Sequence, residues 1–198
     1  VFSAVGTAGQ RCTSLRRVIA HNSIREELAA KLAKAYSSLP IGDPRDGKTL
    51  VGPLVDHAAR DKMLAALEKA RSEGATVHGG KTVSSGVPQR GAYVEPAIAE
   101  MPTQSEIVRT ETFAPILYLL GYDTLDEAIH MANDTDYGLN ASVWGTDLDA
   151  ATAVARRIES GNVNINDILA TAFASKGTPS GGVKASGVGA RHGDQGLL

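Results

Sequence analysis

The sequence predicts an α/β fold with a largely parallel, helix-covered sheet, and three observations carry that expectation. Ile116-Leu-Tyr-Leu-Leu120 is a continuous apolar run without alternation, the pattern of a strand buried on both faces inside a parallel sheet. Strand-like and helix-like stretches then alternate through residues 116–166, the order that builds parallel strands with crossover helices. The helical stretches are also bracketed by side-chain caps and glycine stops, so their ends are written locally.

Residues 1–8 are small and apolar, as suits a helix packed tightly into a core, and Gly9 lets the backbone turn sharply behind it. Residues 15–20 mix β-branched and basic side chains over strand length, and Ser23-Ile-Arg-Glu26 reads as a capping box. The helix it opens places Ile24, Leu28, Leu32 and Ala35 or Tyr36 on one face, and Pro40 with Gly42-Asp-Pro44 ends it. The connection through Asp46-Gly47 and Gly52-Pro53 has turn chemistry and no periodicity.

Asp56 caps a second helix striped by Met63, Leu64, Leu67 and Ala70, and Gly74 supplies its left-handed stop. Residues 75–78 form a short strand candidate, and residues 93–98 are extended but carry Pro96, which confines them to an edge or a bulge. After the central strand at 116–120, Thr124-Leu-Asp-Glu127 is a further capping box. Residues 139–144 are a strand, Leu148, Ala151, Val154 or Ala155 and Ile158 stripe a helix stopped by Gly161, and residues 162–166 are the next strand. Glycine is dense over 177–196 and apolar periodicity disappears there, so tertiary contacts must hold that stretch.

The chain has 198 residues, 42% of them hydrophobic and 21% charged, enough for one compact domain with a core. Twenty basic residues against 22 acidic ones leave a net charge of −2, which offers no basic surface for nucleic acid. No apolar run approaches the roughly 20 residues of a membrane span, and no signal sequence opens the chain. A single cysteine and five histidines without ligand spacing, His21, His57, His78, His130 and His192, point away from a metal site and from a disulfide framework. The cysteine usage indicates a reducing compartment, the cytoplasm by default. A first residue of Val rather than Met suits a segment of a longer polypeptide.

That cysteine lies in Gly9-Gln10-Arg11-Cys12-Thr13, at the exit of the proposed turn. Arg11 and exposed backbone N–H groups there favour a thiolate and bind an oxyanion, although a lone cysteine also serves as a small buried hydrophobe. Three stretches in order decide between these: Gly9–Thr13, Glu111-Thr-Phe-Ala-Pro115, and Gly181-Gly-Val-Lys-Ala-Ser-Gly187. Together they resemble the motifs of the aldehyde dehydrogenase superfamily, with similarity to α-aminoadipic semialdehyde and succinate semialdehyde dehydrogenases.

The resemblance runs end to end but covers only that family's catalytic domain, so it implies residues 1–198 as one thiol-bearing catalytic domain without the cofactor-binding domain that precedes it. It further implies Cys12 as nucleophile toward an aldehyde, Glu111 and Phe113 as contacts to NAD or NADP, and a homo-oligomeric full-length protein. Thr13, beside the thiol, and Ile168, Leu169 and Phe173, in the loop after residue 166, become substrate contacts in the same way. The phosphate-loop reading of Gly181–Gly187 fails because Gly-Lys-Ser/Thr is missing, and Gly187–Gly193 misses the dinucleotide spacing by one residue. Two other readings stay open on the residues alone: a non-catalytic assembly module, and a cysteine hydrolase.

Overall fold

A computed structural model describes residues 1–168, 177 and 179–193. The chain falls into two compact units, residues 1–122 and 123–198. In the first, helix α1 is a single turn, Phe2–Val5, and strand β1 is Arg17–His21. Helix α2 is Asn22–Ser37, α3 is His57–Ser72, β2 is Thr76–Gly79, β3 is Ala97–Glu100, α4 is Glu106–Arg109 and β4 is Ile116–Tyr122. The four strands form one sheet in the order β1-β4-β3-β2.

Strand β4 pairs in parallel with β1, from Arg17 opposite Tyr118 to His21 opposite Tyr122. It also pairs in parallel with β3, from Ala97 opposite Ile116 to Glu100 opposite Leu119. The continuous apolar run is thus the centre of the parallel part, with Ile116, Leu117, Leu119 and Leu120 all buried. Burying each such side chain stabilises by about 1.5–3 kcal/mol. Strand β2 closes the far side antiparallel to β3.

Several local expectations meet different outcomes. The helix expected over residues 1–8 stops at Val5, because the next residues enter a left-handed turn described below. The cap of α2 is His21, whose Nδ1 accepts from Ser23 N–H at 3.2 Å, and Ser23 itself lies inside the helix. The expected face of α2 is largely the inward one, with Tyr36 buried and Leu28, Leu32 and Ala35 half-buried, but Ala29 joins it and Ile24 in the first turn is exposed. Pro96 does not send its stretch to an edge, since β3 begins one residue later and lies between β4 and β2. A missing N–H before the first ladder residue removes no strand hydrogen bond.

Asp56 caps α3 by accepting from Ala59 N–H at 2.7 Å. Met63, Leu67 and Ala70 are buried on that helix, and Gly74 has a φ of +91° just past its end.

The second unit contains α5 (Leu125–Asn133), β5 (Tyr137–Gly138), β6 (Asn140–Val143), α6 (Leu148–Ala155), β7 (Asn162–Ile165) and β8 (Val183–Lys184). Strands β6 and β7 are parallel, Asn140 opposite Asn162 through Val143 opposite Ile165, and β5 pairs antiparallel with β8. Thr124 caps α5 by accepting from Glu127 N–H, and the Glu127 carboxylate accepts from Asp123 N–H at 2.9 Å. Helix α6 ends at Ala155, short of the expected Ile158. After β7, Asn166 takes a left-handed φ of 53° and its side-chain amide accepts from Gly145 N–H and donates to Gly145 C=O. Among the described residues, no helix is long and apolar enough to cross a membrane.

Candidate active site

The parallel register of β1 and β4 dictates which loops meet. Residues 10–16 lead into the amino end of β1, and residues 110–115 lead into the amino end of β4, so parallel pairing brings the two segments to the same end of the sheet. The first rung extends into them, since Tyr118 N–H donates to Arg16 C=O at 2.9 Å. Cys12, Thr13, Glu111 and Phe113 therefore come together through topology alone, although about a hundred residues separate them in sequence.

The turn before the cysteine is left-handed over three successive residues: Thr7 has φ 55°, Ala8 φ 52° and Gly9 φ 67°. Each non-glycine residue in that region costs roughly 1–2 kcal/mol. Surrounding contacts hold it there. Gln10 N–H donates to Thr7 C=O at 3.1 Å, and the Gln10 side-chain amide donates to the same carbonyl at 3.2 Å. The Gln10 Oε1 accepts from Val55 N–H at 2.8 Å, tying the turn to the loop that precedes α3. Gly9 is pressed against the backbone of Ala114 and Pro115: a Cβ at Gly9 would lie 2.5 Å from Ala114 O. Glycine is required here by both φ and space.

Beyond Gln10 the chain makes a second, tighter turn. Ser14 N–H donates to Arg11 C=O at 3.0 Å, and the buried Ser14 Oγ accepts from Arg11 N–H at 3.1 Å. Cys12 and Thr13 occupy the middle of that turn; the Cys12 thiol is free and exposed, and Thr13 is half-buried. Among the described residues, no backbone carbonyl takes the N–H of Cys12 or of Thr13. Such unengaged N–H groups beside a nucleophile are donors for a developing oxyanion.

On the other segment, Glu111 is exposed, and the Phe113 ring is 46% exposed. Ala114 is buried with an ordinary negative φ, so its methyl group brings no backbone strain. Its carbonyl accepts from Ile116 N–H at 2.8 Å.

Sequence reasoning missed Arg16. Its Nη1 donates to Ala114 C=O at 2.8 Å and its Nη2 to Arg11 C=O at 3.2 Å. Its Cζ lies 5.2 Å from the centroid of the Phe113 ring, within cation–π range. Burial lowers the Arg16 pKa below its ordinary value, and the neighbouring Glu111, Cys12 and Tyr118 offset part of that. The only local signal was a basic pair at the head of a strand, which reads as surface charge.

In the second unit, Ile168 follows β7 and is exposed, its N–H donating to the Asp167 carboxylate at 2.7 Å and its carbonyl accepting from Asn164 at 3.2 Å. Leu169 and Phe173 lie outside the described residues. Among the described residues, no group of three histidines, cysteines or carboxylates could hold a metal ion.

An exposed thiol in a tight turn behind a left-handed one, beside unengaged N–H donors and at the same end of the sheet as a carboxylate and an aromatic ring, has the parts of a nucleophilic acyl-transfer site. The sequence matches the aldehyde dehydrogenase family over residues 1–198, and the chain belongs to that family. It is 38% identical over 197 residues to geranial dehydrogenase of Castellaniella defragrans, covering 99% of this chain and 40% of that protein. It is 39% identical to α-aminoadipic semialdehyde dehydrogenase of Bos taurus, covering 98% of this chain and 35% of that protein. The fold superposes on betaine aldehyde dehydrogenase of Staphylococcus aureus in complex with NAD+ with a TM-score of 0.92 at 32% identity, over 98% of this chain and 39% of that one. The chain thus spans about two fifths of the length of the relatives it matches.

Proposed function

We propose that the protein carrying this chain oxidises an aldehyde to a carboxylic acid with NAD or NADP, and that residues 1–198 are its thiol-bearing catalytic domain. One observation carries the reading: the chain's sole thiol is exposed beside unengaged N–H groups, at the same end of the sheet as Glu111 and Phe113.

In this reading the Cys12 thiolate attacks the aldehyde carbon, forming the C–S bond as the carbonyl π pair moves onto oxygen. The N–H groups of Cys12 and Thr13 hold that oxyanion. When bound, the nicotinamide supplies the hydride acceptor that turns the adduct into a thioester. The chain's residues suit such a group, since the acceptor-only Glu111 carboxylate matches ribose hydroxyls and the half-exposed Phe113 ring matches a flat heterocycle. Water then cleaves the thioester, releasing the acid and returning the thiol. We place the base that activates it in sequence preceding residue 1, as the family resemblance implies.

A semialdehyde is the favoured substrate class, supported by the likeness to α-aminoadipic semialdehyde dehydrogenase, and Thr13, beside the thiol, is proposed to contact it. A reducing cytoplasm fits the unpaired cysteine, and the family resemblance implies a homo-oligomer.

The test is single-turnover formation of NAD(P)H by the full-length protein across a panel of semialdehydes and plain aldehydes. The Cys12→Ala variant is expected to keep the fold and lose hydride formation. Hydride formation that persists in that variant removes Cys12 from the mechanism. Hydrolysis of an activated ester by a wild type that never reduces the nicotinamide favours the cysteine hydrolase instead.

A further inference from the structure

We propose that Arg16 is a positioning residue: its guanidinium, forked between the carbonyls of Arg11 and Ala114 with the Phe113 ring beside it, locks the turn bearing Cys12 to the segment bearing Glu111 and Phe113. This rests on the reading of the site given above and adds a part that none of the three motifs contains.

The fork spans the two halves of the site. Arg11 C=O closes the turn that holds Cys12, because it also accepts from Ser14 N–H at 3.0 Å. Ala114 C=O is the point where the second segment bends into β4, and it lies against Gly9. One planar group donates to both, at 3.2 Å and 2.8 Å. A planar guanidinium fixes the direction of both bonds at once, which a flexible ammonium does not. The contact with Phe113 at 5.2 Å fixes the ring as well as the backbone.

Packing alone does not explain the arginine. Its Nε is buried without a hydrogen-bond partner, and burying a cation is costly. An apolar side chain would fill the same volume without that penalty, but it could not join two carbonyls. The bridge is what the charge provides, and it sits between the nucleophile and the cofactor-contacting residues.

The experiment uses the full-length protein with two variants, Arg16→Ala and Arg16→Lys. Two rates are compared: acylation of Cys12 by 4-nitrophenyl acetate without cofactor, and single-turnover NAD(P)H formation from an aldehyde. A misplacement of about 1 Å costs on the order of 100-fold when two groups must be aligned. Hydride formation should therefore fall by about that factor in Arg16→Ala, and its ratio to acylation should fall by about tenfold or more. Free guanidinium should restore part of the ratio in Arg16→Ala, and Arg16→Lys should fall between the alanine variant and wild type.

Two rates that fall together with no response to guanidinium would show a merely structural arginine and overturn the clamp, as would an unchanged ratio in both variants. If Arg16→Ala fails to fold, an unchanged ratio in the folded Arg16→Lys still overturns it. A wild type that acylates but forms no NAD(P)H overturns instead the reading of the site on which the clamp rests.

Discussion

Replacing Gly9 by alanine tests the contact that joins the two halves of the site, and its magnitude can be worked from the structure. Gly9 has a φ of +67°, and an alanine there costs about 1–2 kcal/mol in backbone strain. Its methyl carbon would lie 2.5 Å from Ala114 O, and 2.6 Å from both Ala114 C and Pro115 N. All three are backbone atoms, so no side chain can rotate away. Overpacking of that kind adds roughly 1–3 kcal/mol. The total of about 2–5 kcal/mol is a large share of the 5–15 kcal/mol that holds a typical domain together. Gly86→Ala separates the two contributions, because Gly86 has a similar φ of +72° but nothing within 4 Å of an added Cβ. Urea denaturation followed by circular dichroism gives both losses, and maleimide labelling of the Cys12 peptide reports whether the turn has moved. A Gly9→Ala loss no larger than that of Gly86→Ala would refute the close approach of the two segments.

Gln10→Ala should hand the exposed Val55 N–H from its 2.8 Å acceptor to water and release the left-handed turn, at a cost of about 0.5–1.5 kcal/mol; hydrogen exchange at Val55 should rise together with exchange at residues 7–10. Tyr118 gives a pH prediction. Burial raises its phenol from 10.0 to about 12, with Thr112 and Arg16 offsetting part of the shift and Glu73 adding to it. Because the folded value lies above the unfolded one, this contribution is whole below about pH 10 and is lost as pH rises through 12, about 3 kcal/mol in all. Tyr118→Phe should raise the midpoint of alkaline unfolding, because a phenylalanine there has no phenol to ionise. A lower alkaline midpoint in Tyr118→Phe would count against that account.

What was legible in the sequence is what short-range chemistry decides. The Ile116–Leu120 run announced a central strand because a strand flanked on both sides has no solvent face, and Asp56 and Thr124 announced helix starts because a cap acts within three residues. Ser23 misled because His21, two residues earlier, presents a ring nitrogen that accepts from Ser23 N–H, so the helix starts before the serine. Pro96 misled because a proline is barred from a ladder but not from the position just before one. Within the site, the motifs singled out Cys12, Glu111 and Phe113, whereas nothing local marks Arg16, whose partner Ala114 is 98 residues away. The left-handed Thr7 and Ala8 were equally hidden, since neither residue type favours that conformation and only tertiary contacts impose it.

The place of the site in the sheet gives that strain a reason. Open α/β sheets usually bind ligands at the carboxyl ends of their strands, where helix amino termini supply N–H donors and a positive dipole. Cys12 and Glu111 instead precede the amino ends of β1 and β4, and α2 starts from the opposite end of β1. No helix that follows these strands can therefore aim its first turn at the thiol. In the proposed mechanism the oxyanion donors therefore come from the loop itself, and a loop presents N–H groups to a ligand only if its own carbonyls do not claim them. The double turn achieves this: Gln10 and Ser14 close the hydrogen bonds on either side, and the N–H groups of Cys12 and Thr13 remain unclaimed between them. The left-handed residues, the glycine pressed on Ala114 and the arginine fork hold open a conformation that an unsupported loop would abandon.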